Sequence, residues 1–189
     1  MEDFIDDIEP CLEVLRNGGL ILYPTDTIWG IGCDATNPDA VAKVYALKNR
    51  PDSKALIVLV ADERDILQYV AAPDPEMFEF LEKQERPTTV IYNGAIGFAD
   101  NLLADDGSIA IRICKEPFCR HLLKRFRKPI VSTSANISGG PPAATFNEIA
   151  NEIKTGVDYI VKYRQDDKRP AKASMLVKWE KTGPVILRS

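Results

Sequence analysis

Phe4, Ile5, Ile8, Leu12 and Leu15 repeat at the spacing of one helix face, and Asn17-Gly18-Gly19 ends that pattern just before the apolar run Leu20 to Tyr23. This predicts a helix, a turn and a strand. Asn37-Pro38-Asp39 reads as a helix start, with a capping side chain and a proline at the first position; Val41, Val44 and Tyr45 form the inner stripe and Lys48 continues it. Leu56 to Val60 is uninterruptedly apolar, the pattern of a strand covered on both faces, and Asp62 then opens a helix carrying Ile66, Leu67 and Val70. Further strands are predicted at Thr88 to Tyr92, Ser108 to Ile113, Ile130 to Thr133, Tyr159 to Val161, Met175 to Lys178 and Val185 to Leu187. Further helices are predicted over Pro75 to Gln84, Pro117 to Arg127 and Phe146 to Lys154, the last opened by Thr145-x-x-Glu148 as a capping box. The alternation implies an α/β protein, a mixed twisted sheet with flanking helices. The hydrophilic stretch Arg164 to Lys172 has the length of a mobile loop and is read as a flap.

With 189 residues, 45% hydrophobic and 28% charged, the chain suits a single domain over its whole length rather than a disordered segment. Lys and Arg total 24 against 28 Asp and Glu, a net charge of -4, so the surface as a whole is not that of a dedicated nucleic-acid binder. Any phosphate site must be a local cluster. The 4 cysteines, Cys11, Cys33, Cys114 and Cys119, form no C-x-x-C pair and the single histidine is His121, which points to idle reduced thiols rather than structural zinc. The N-terminus is acidic and no run approaches the roughly 18 apolar residues of a membrane span, so a soluble, cytoplasmic protein is expected.

Three polar segments follow predicted elements. Pro24-Thr25-Asp26-Thr27-Ile28-Trp29-Gly30 places hydroxyls and a carboxylate at a strand end, where α/β sheets bind ligands; a turn capped by Thr and Asp side chains reads equally well. Lys48-Asn49-Arg50-Pro51-Asp52-Ser53-Lys54 gathers cations at a helix end, suited either to the helix dipole or to phosphate oxygens. Ser132-Thr133-Ser134-Ala135-Asn136-Ile137-Ser138-Gly139-Gly140 is crowded with small donors that suit a phosphate or nucleoside, or an ordinary Ser/Gly loop; it matches neither a Walker loop nor a G-x-G-x-x-G fingerprint.

In this order, these segments resemble the YrdC-like family of threonylcarbamoyl-adenylate synthases over nearly the whole chain. P-T-[DE]-T-x-[YW]-G is met by Pro24 to Gly30, K-x-R-P by Lys48 to Pro51, a hydroxyl-x-x-x-Arg strand by Ser108 and Arg112, and S-A-N-x-S-G by Ser134 to Gly139. The resemblance implies the YrdC-like fold and an enzyme joining L-threonine, bicarbonate and ATP into threonylcarbamoyl-AMP with release of pyrophosphate. A downstream transferase complex would move the group to tRNA. It implies threonine contacts at Thr27, Arg112, Ser134 and Ser174, and ATP contacts at Arg50, Lys54, Ser108, Asn136 and Arg188. Lys48 and Arg50 are implied as the catalytic cations, with magnesium held mainly by the phosphates and no protein metal site. The family's association with double-stranded RNA leaves a binding module with weak RNA affinity as an alternative, and a paralogue with another acyl donor or acceptor as a third. Leu59, Glu85-Arg86-Pro87, Ala144 and Met175 depart from the family pattern, where His, Pro-Gly-Pro, a hydroxyl and Thr are usual.

Overall fold

The computed structural model describes residues 3–49, 56–169 and 171–189. Helix α1 (Ile5–Arg16) buries Ile8, Leu12 and Leu15 of the predicted stripe together with Cys11, whereas Ile5, at the first turn, is 45% exposed. Gly18, at φ 71°, turns the chain into strand β1 (Ile21–Tyr23). A second strand, β2 (Gly30–Gly32), follows the first polar segment and was not foreseen in the sequence. Helix α2 (Pro38–Lys48) starts where the cap predicts, with Asn37 Oδ1 accepting from the Asp39 and Ala40 N–H groups at 3.0 and 3.2 Å.

Strand β3 (Ile57–Val60) is followed by helix α3 (Glu63–Tyr69), where Asp62 and Asp65 form a reciprocal capping box. Leu67, expected on its inner face, is 59% exposed: this short helix turns only Ile66 into the core, and Val70 lies beyond its end. Next come helix α4 (Pro75–Glu82), strand β4 (Thr88–Tyr92), strand β5 (Ile109–Ile113), helix α5 (Pro117–Phe126) and strand β6 (Ile130–Ser134).

The helix expected over Phe146 to Lys154 is divided. A 3₁₀ turn, Phe146–Glu148, is separated from helix α6 (Asn151–Gly156) by Ile149 and Ala150 in extended backbone, which delivers Ile149 to the core at 3% exposure. The expected capping box is also absent. The Glu148 carboxylate instead accepts from the Ala144 N–H at 3.0 Å and the Thr145 hydroxyl at 3.3 Å, while its N–H goes to the Thr145 carbonyl. Strand β7 (Tyr159–Ile160) and the hairpin of β8 (Met175–Glu180) and β9 (Gly183–Arg188) complete the chain.

Among the described residues, nine strands form one mixed sheet in the order β7-β1-β2-β6-β3-β5-β4-β8-β9. One face carries Val58, Val90, Ile111, Val131 and Val177, all buried; α3 and α5 pack on β3, and α1 packs on β1, β7 and α5. The other face carries Ile57, Ile91, Ala110 and Ser132, paired in register, and is the floor of a cleft. The hydrophilic stretch read as a flap is fastened at its start. Arg164, at φ 64°, donates from Nη1 to the Thr25 carbonyl at 3.0 Å and pairs through Nε with Asp167 at 3.0 Å.

Candidate functional site

The cleft encloses about 500 Å³, within the range of small-molecule sites. Its floor is polar because strand pairing puts Arg112 of β5 opposite both Leu59 of β3 and Thr89 of β4, so the guanidinium rises from mid-sheet. Arg112 is 3% exposed. Its Nη2 donates to Thr27 Oγ1 at 3.2 Å and lies 3.1 Å from Asp26 Oδ1, an ion pair not aligned as a hydrogen bond. The buried Arg112 Nε–H has no hydrogen-bond partner among the described residues. A desolvated donor left so is costly, about 1–3 kcal/mol, and an acceptor from a ligand would recover that cost.

The loop after β1 fixes Thr27. Thr25 Oγ1 donates to the Ile28 carbonyl at 2.8 Å and accepts from the Thr27 N–H at 3.0 Å. The two threonine hydroxyl oxygens are 3.0 Å apart; with the Thr25 proton spent on Ile28, Thr27 is the donor and keeps its lone pairs toward Arg112. Across the cleft, Ser174 Oγ lies 2.7 Å from Thr89 Oγ1, and Arg188 donates from Nε and Nη2 to the Ser174 carbonyl at 3.1 and 2.9 Å. The arginine at the end of β9 is thereby turned inward, although the apolar side chains before it, Val185, Ile186 and Leu187, are exposed rather than anchored.

Lys48 is the last residue of α2. It is 1% exposed and its ammonium donates to the Ser134 carbonyl and, at 2.7 Å, to the Asn136 carbonyl. The Ser138 N–H donates to the Lys48 carbonyl at 2.9 Å, and Asn136 Nδ2 closes the loop onto the Gly140 carbonyl at 2.8 Å. The end of α2 and the loop after β6 are thus one unit, with Lys48 beneath it rather than on the cleft wall.

Of the residues singled out by sequence, Thr27, Arg112, Ser134, Asn136, Ser174 and Arg188 line one cleft. Ser108 does not: it is 5% exposed and its hydroxyl donates to the Asp106 carboxylate at 2.6 Å. Arg50 and Lys54 lie outside the described residues. The sequence reading gave no contact role to Asp26, Thr89 or Arg164, which hold Arg112, Ser174 and the Thr25 loop. Asp26 stood inside a quoted motif and was recoverable from it; Thr89 looks like any strand threonine until register places it beside Arg112. Burial lifts the Glu116 carboxyl above its ordinary range, although the Cys119 N–H and Arg164 both favour its ionised form.

The structure is thus an α/β protein with one mixed sheet, a face of which floors a cleft and carries a buried guanidinium whose Nε–H has no partner among the described residues. Residues 13–189 match the Sua5/YciO/YrdC family model, described as "Telomere recombination", and the chain belongs to that family. It is 35% identical over 155 residues to a threonylcarbamoyl-AMP synthase of Photobacterium profundum, covering 79% of this chain and 82% of the relative. A protein of the same name from Vibrio parahaemolyticus is 34% identical over 152 residues, with 79% and 82% covered. These relatives bear the name of a nucleotidyl-transferring enzyme. The structure of P. abyssi Sua5 complexed with L-threonine superposes with a TM-score of 0.82 at 25% identity over 96% of this chain, which spans 53% of that longer protein. E. coli YciO shares the fold, with a TM-score of 0.84 at 23% identity, covering 97% of this chain and 89% of that one.

Proposed function

We propose that this chain is an L-threonylcarbamoyladenylate synthase, making threonylcarbamoyl-AMP and pyrophosphate from L-threonine, bicarbonate and ATP for the modification of tRNA by a downstream transferase complex. The observation that carries the proposal is Arg112: a buried guanidinium with a free Nε–H on the cleft floor suits the threonine carboxylate, with Thr27 beside it and Ser174, which also lines the cleft, available for the amino-acid hydroxyl and amine. The names of the curated relatives and the threonine complex of P. abyssi Sua5 support the same reading.

In the proposed reaction the threonine amine nitrogen adds to the bicarbonate carbon, and loss of water leaves a carbamate. A carbamate oxygen then attacks the α-phosphorus of ATP as the bond to pyrophosphate breaks. The chain's contribution is to hold mutually repelling anions in line. Arg112 would fix the amino acid, while Asn136 and Arg188 would face the nucleotide, with Arg50 and Lys54 as further phosphate contacts and Lys48 supporting the loop. A magnesium ion would enter with the triphosphate. Among the described residues no three His, Cys, Asp or Glu side chains group as a metal cage, and no step is assigned to a protein-held metal.

The test is pyrophosphate release by purified protein, expected only when ATP, magnesium, bicarbonate and L-threonine are all present, with the threonylcarbamoyl-AMP mass carrying label from bicarbonate. Release that continues without threonine would refute the substrate assignment. Equal rates with other amino acids would identify a paralogue, and salt-dependent RNA retention without pyrophosphate would identify a binding module.

A further inference from the structure

Against the cleft lies a second cavity of about 600 Å³ that shares Thr27 and Ala173 with it as walls. In a chain of net charge -4, this cavity is lined by the cations of Arg86, Arg164, Arg169 and Lys172 and the carboxylates of Asp26 and Glu116. Most of these charges are already committed. Arg164 and Arg169 both pair with Asp167, at 3.0 and 2.6 Å, Asp26 pairs with Arg112, and Glu116 accepts from the Cys119 N–H at 2.9 Å. Arg86 and Lys172 make no side-chain hydrogen bond or ion pair among the described residues. Sheet pairing brings them to the same place. β4 and β8 run parallel from Thr88 opposite Met175, and the Met175 N–H donates to the Pro87 carbonyl at 2.9 Å, so the segments carrying Arg86 and Lys172 reach one sheet end together. Arg86 also stands within the Glu85-Arg86-Pro87 departure from the family's usual Pro-Gly-Pro.

We propose that this cavity is an entry vestibule for bicarbonate, with Arg86 and Lys172 concentrating the small oxyanion at the Thr27 wall. The proposal rests on the synthase reading, in which three anions must be gathered. The threonine carboxylate would have Arg112, and the nucleotide the Arg188 and Asn136 side of the cleft with Arg50 and Lys54; among the described residues that line these two cavities, Arg86 and Lys172 are the cations left for bicarbonate. Exposed cations flanking a cavity mouth act by steering, which raises local anion concentration and encounter rate and is screened by salt over roughly 10 Å at 0.1 M.

The experiment compares wild type with Arg86→Ala/Lys172→Ala by steady-state kinetics and by ¹³C NMR line broadening of labelled bicarbonate. The double variant should raise the bicarbonate KM about three- to tenfold while leaving kcat at saturating bicarbonate and the KM for threonine and ATP unchanged, a size set by loss of steering. Added NaCl should depress wild-type kcat/KM for bicarbonate and leave the double variant nearly flat. Broadening should be present with wild type, weaker with the double variant and weakest with Arg86→Glu/Lys172→Glu. A bicarbonate KM that does not move, or a threonine KM that moves instead, overturns the proposal. Line broadening separates it from the synthase reading: a wild type that makes no product yet loses broadening on substitution keeps the vestibule and refutes the synthase, whereas unchanged broadening refutes the vestibule alone.

Discussion

A lysine ammonium at 1% exposure is unusual, and the acceptors around Lys48 explain how it is tolerated: the carbonyls of Ser134 and Asn136 replace part of its hydration. The sequence placed Lys48 on the inner stripe of α2, and burial follows from that position. Its role as a catalytic cation is what the family resemblance implies; the structure adds that its ammonium is held by carbonyls at the end of β6 and in the loop after it. Legibility ended there because the carbonyls it meets are 86 and 88 positions away, and nothing local announces them. Lys48→Met should leave the Asn136 carbonyl without the ammonium donor, while the Ser134 carbonyl still accepts from the Asn136 N–H at 2.9 Å, and should cost about 1–3 kcal/mol for the one unsatisfied group. The urea midpoint should fall accordingly, and the KM for ATP should rise as the Ser134 to Gly140 loop loosens. A variant with wild-type stability and no turnover would instead assign the ammonium directly to the substrates.

Among the elements, β2 governs how closely the first polar segment approaches the cleft. A Cβ on Gly32 would lie 2.6 Å from Tyr23 Cε1 and 2.9 Å from the Val131 carbonyl oxygen, whereas one on Gly30 would lie 3.2 Å from Ser132 Oγ. Tyr23 is held from the other side, its hydroxyl donating to the Val131 carbonyl at 3.0 Å, so it cannot swing away cheaply. Gly32→Ala should therefore destabilise the protein by about 1–3 kcal/mol, the usual cost of overpacking, while Gly30→Ala should be milder in a melting experiment. Equal melting temperatures for Gly32→Ala and wild type would mean that β1 and β6 part more easily than this packing allows. The same strand shows why parts of the fold were hidden. Gly-Ile-Gly offers neither alternation nor β-branched density, and β2 exists because β1 and β6 sandwich it. The four- and five-residue strands rich in Val, Ile and Thr, β3, β4, β5 and β6, were legible to within one residue, as were the capped starts of α2 and α3. The break at Ile149 was not, because a helical spacing of apolar residues persists through a segment that tertiary packing straightens.

At the scale of the whole molecule, no described helix is long and apolar enough to cross a membrane. The polar residues that line the cleft gather on one face of the sheet, while the thiols are spread through the body. Cys11, Cys33 and Cys114 are 0% exposed and Cys119 is 1% exposed, with its Sγ donating to the Pro24 carbonyl at 3.2 Å. Burial pushes the thiols of Cys11, Cys33 and Cys119 up, away from the thiolate form. This ties stability to pH with a definite sign. In the unfolded chain these thiols ionise near about pH 8.5, while in the folded protein they stay protonated beyond it, so folding binds protons above that pH. Their contribution is fully present below about pH 8.5 and is lost as pH rises toward the folded values, at up to about 1.4 kcal/mol per pH unit for each thiol. Urea midpoints should accordingly be flat in this respect from pH 7 to 8 and fall steeply between pH 9 and 10. Replacing all four cysteines by Ala should flatten the fall without abolishing pyrophosphate release. Iodoacetamide at pH 8 should leave the native protein unlabelled over a period in which the urea-unfolded chain gains four adducts. A native cysteine alkylated at the rate of a free thiol would show that the sheet opens locally. If that thiol were Cys119 and labelling also stopped turnover, the opening would reach the cleft, because its sulfur is bonded to the loop that carries Asp26 and Thr27.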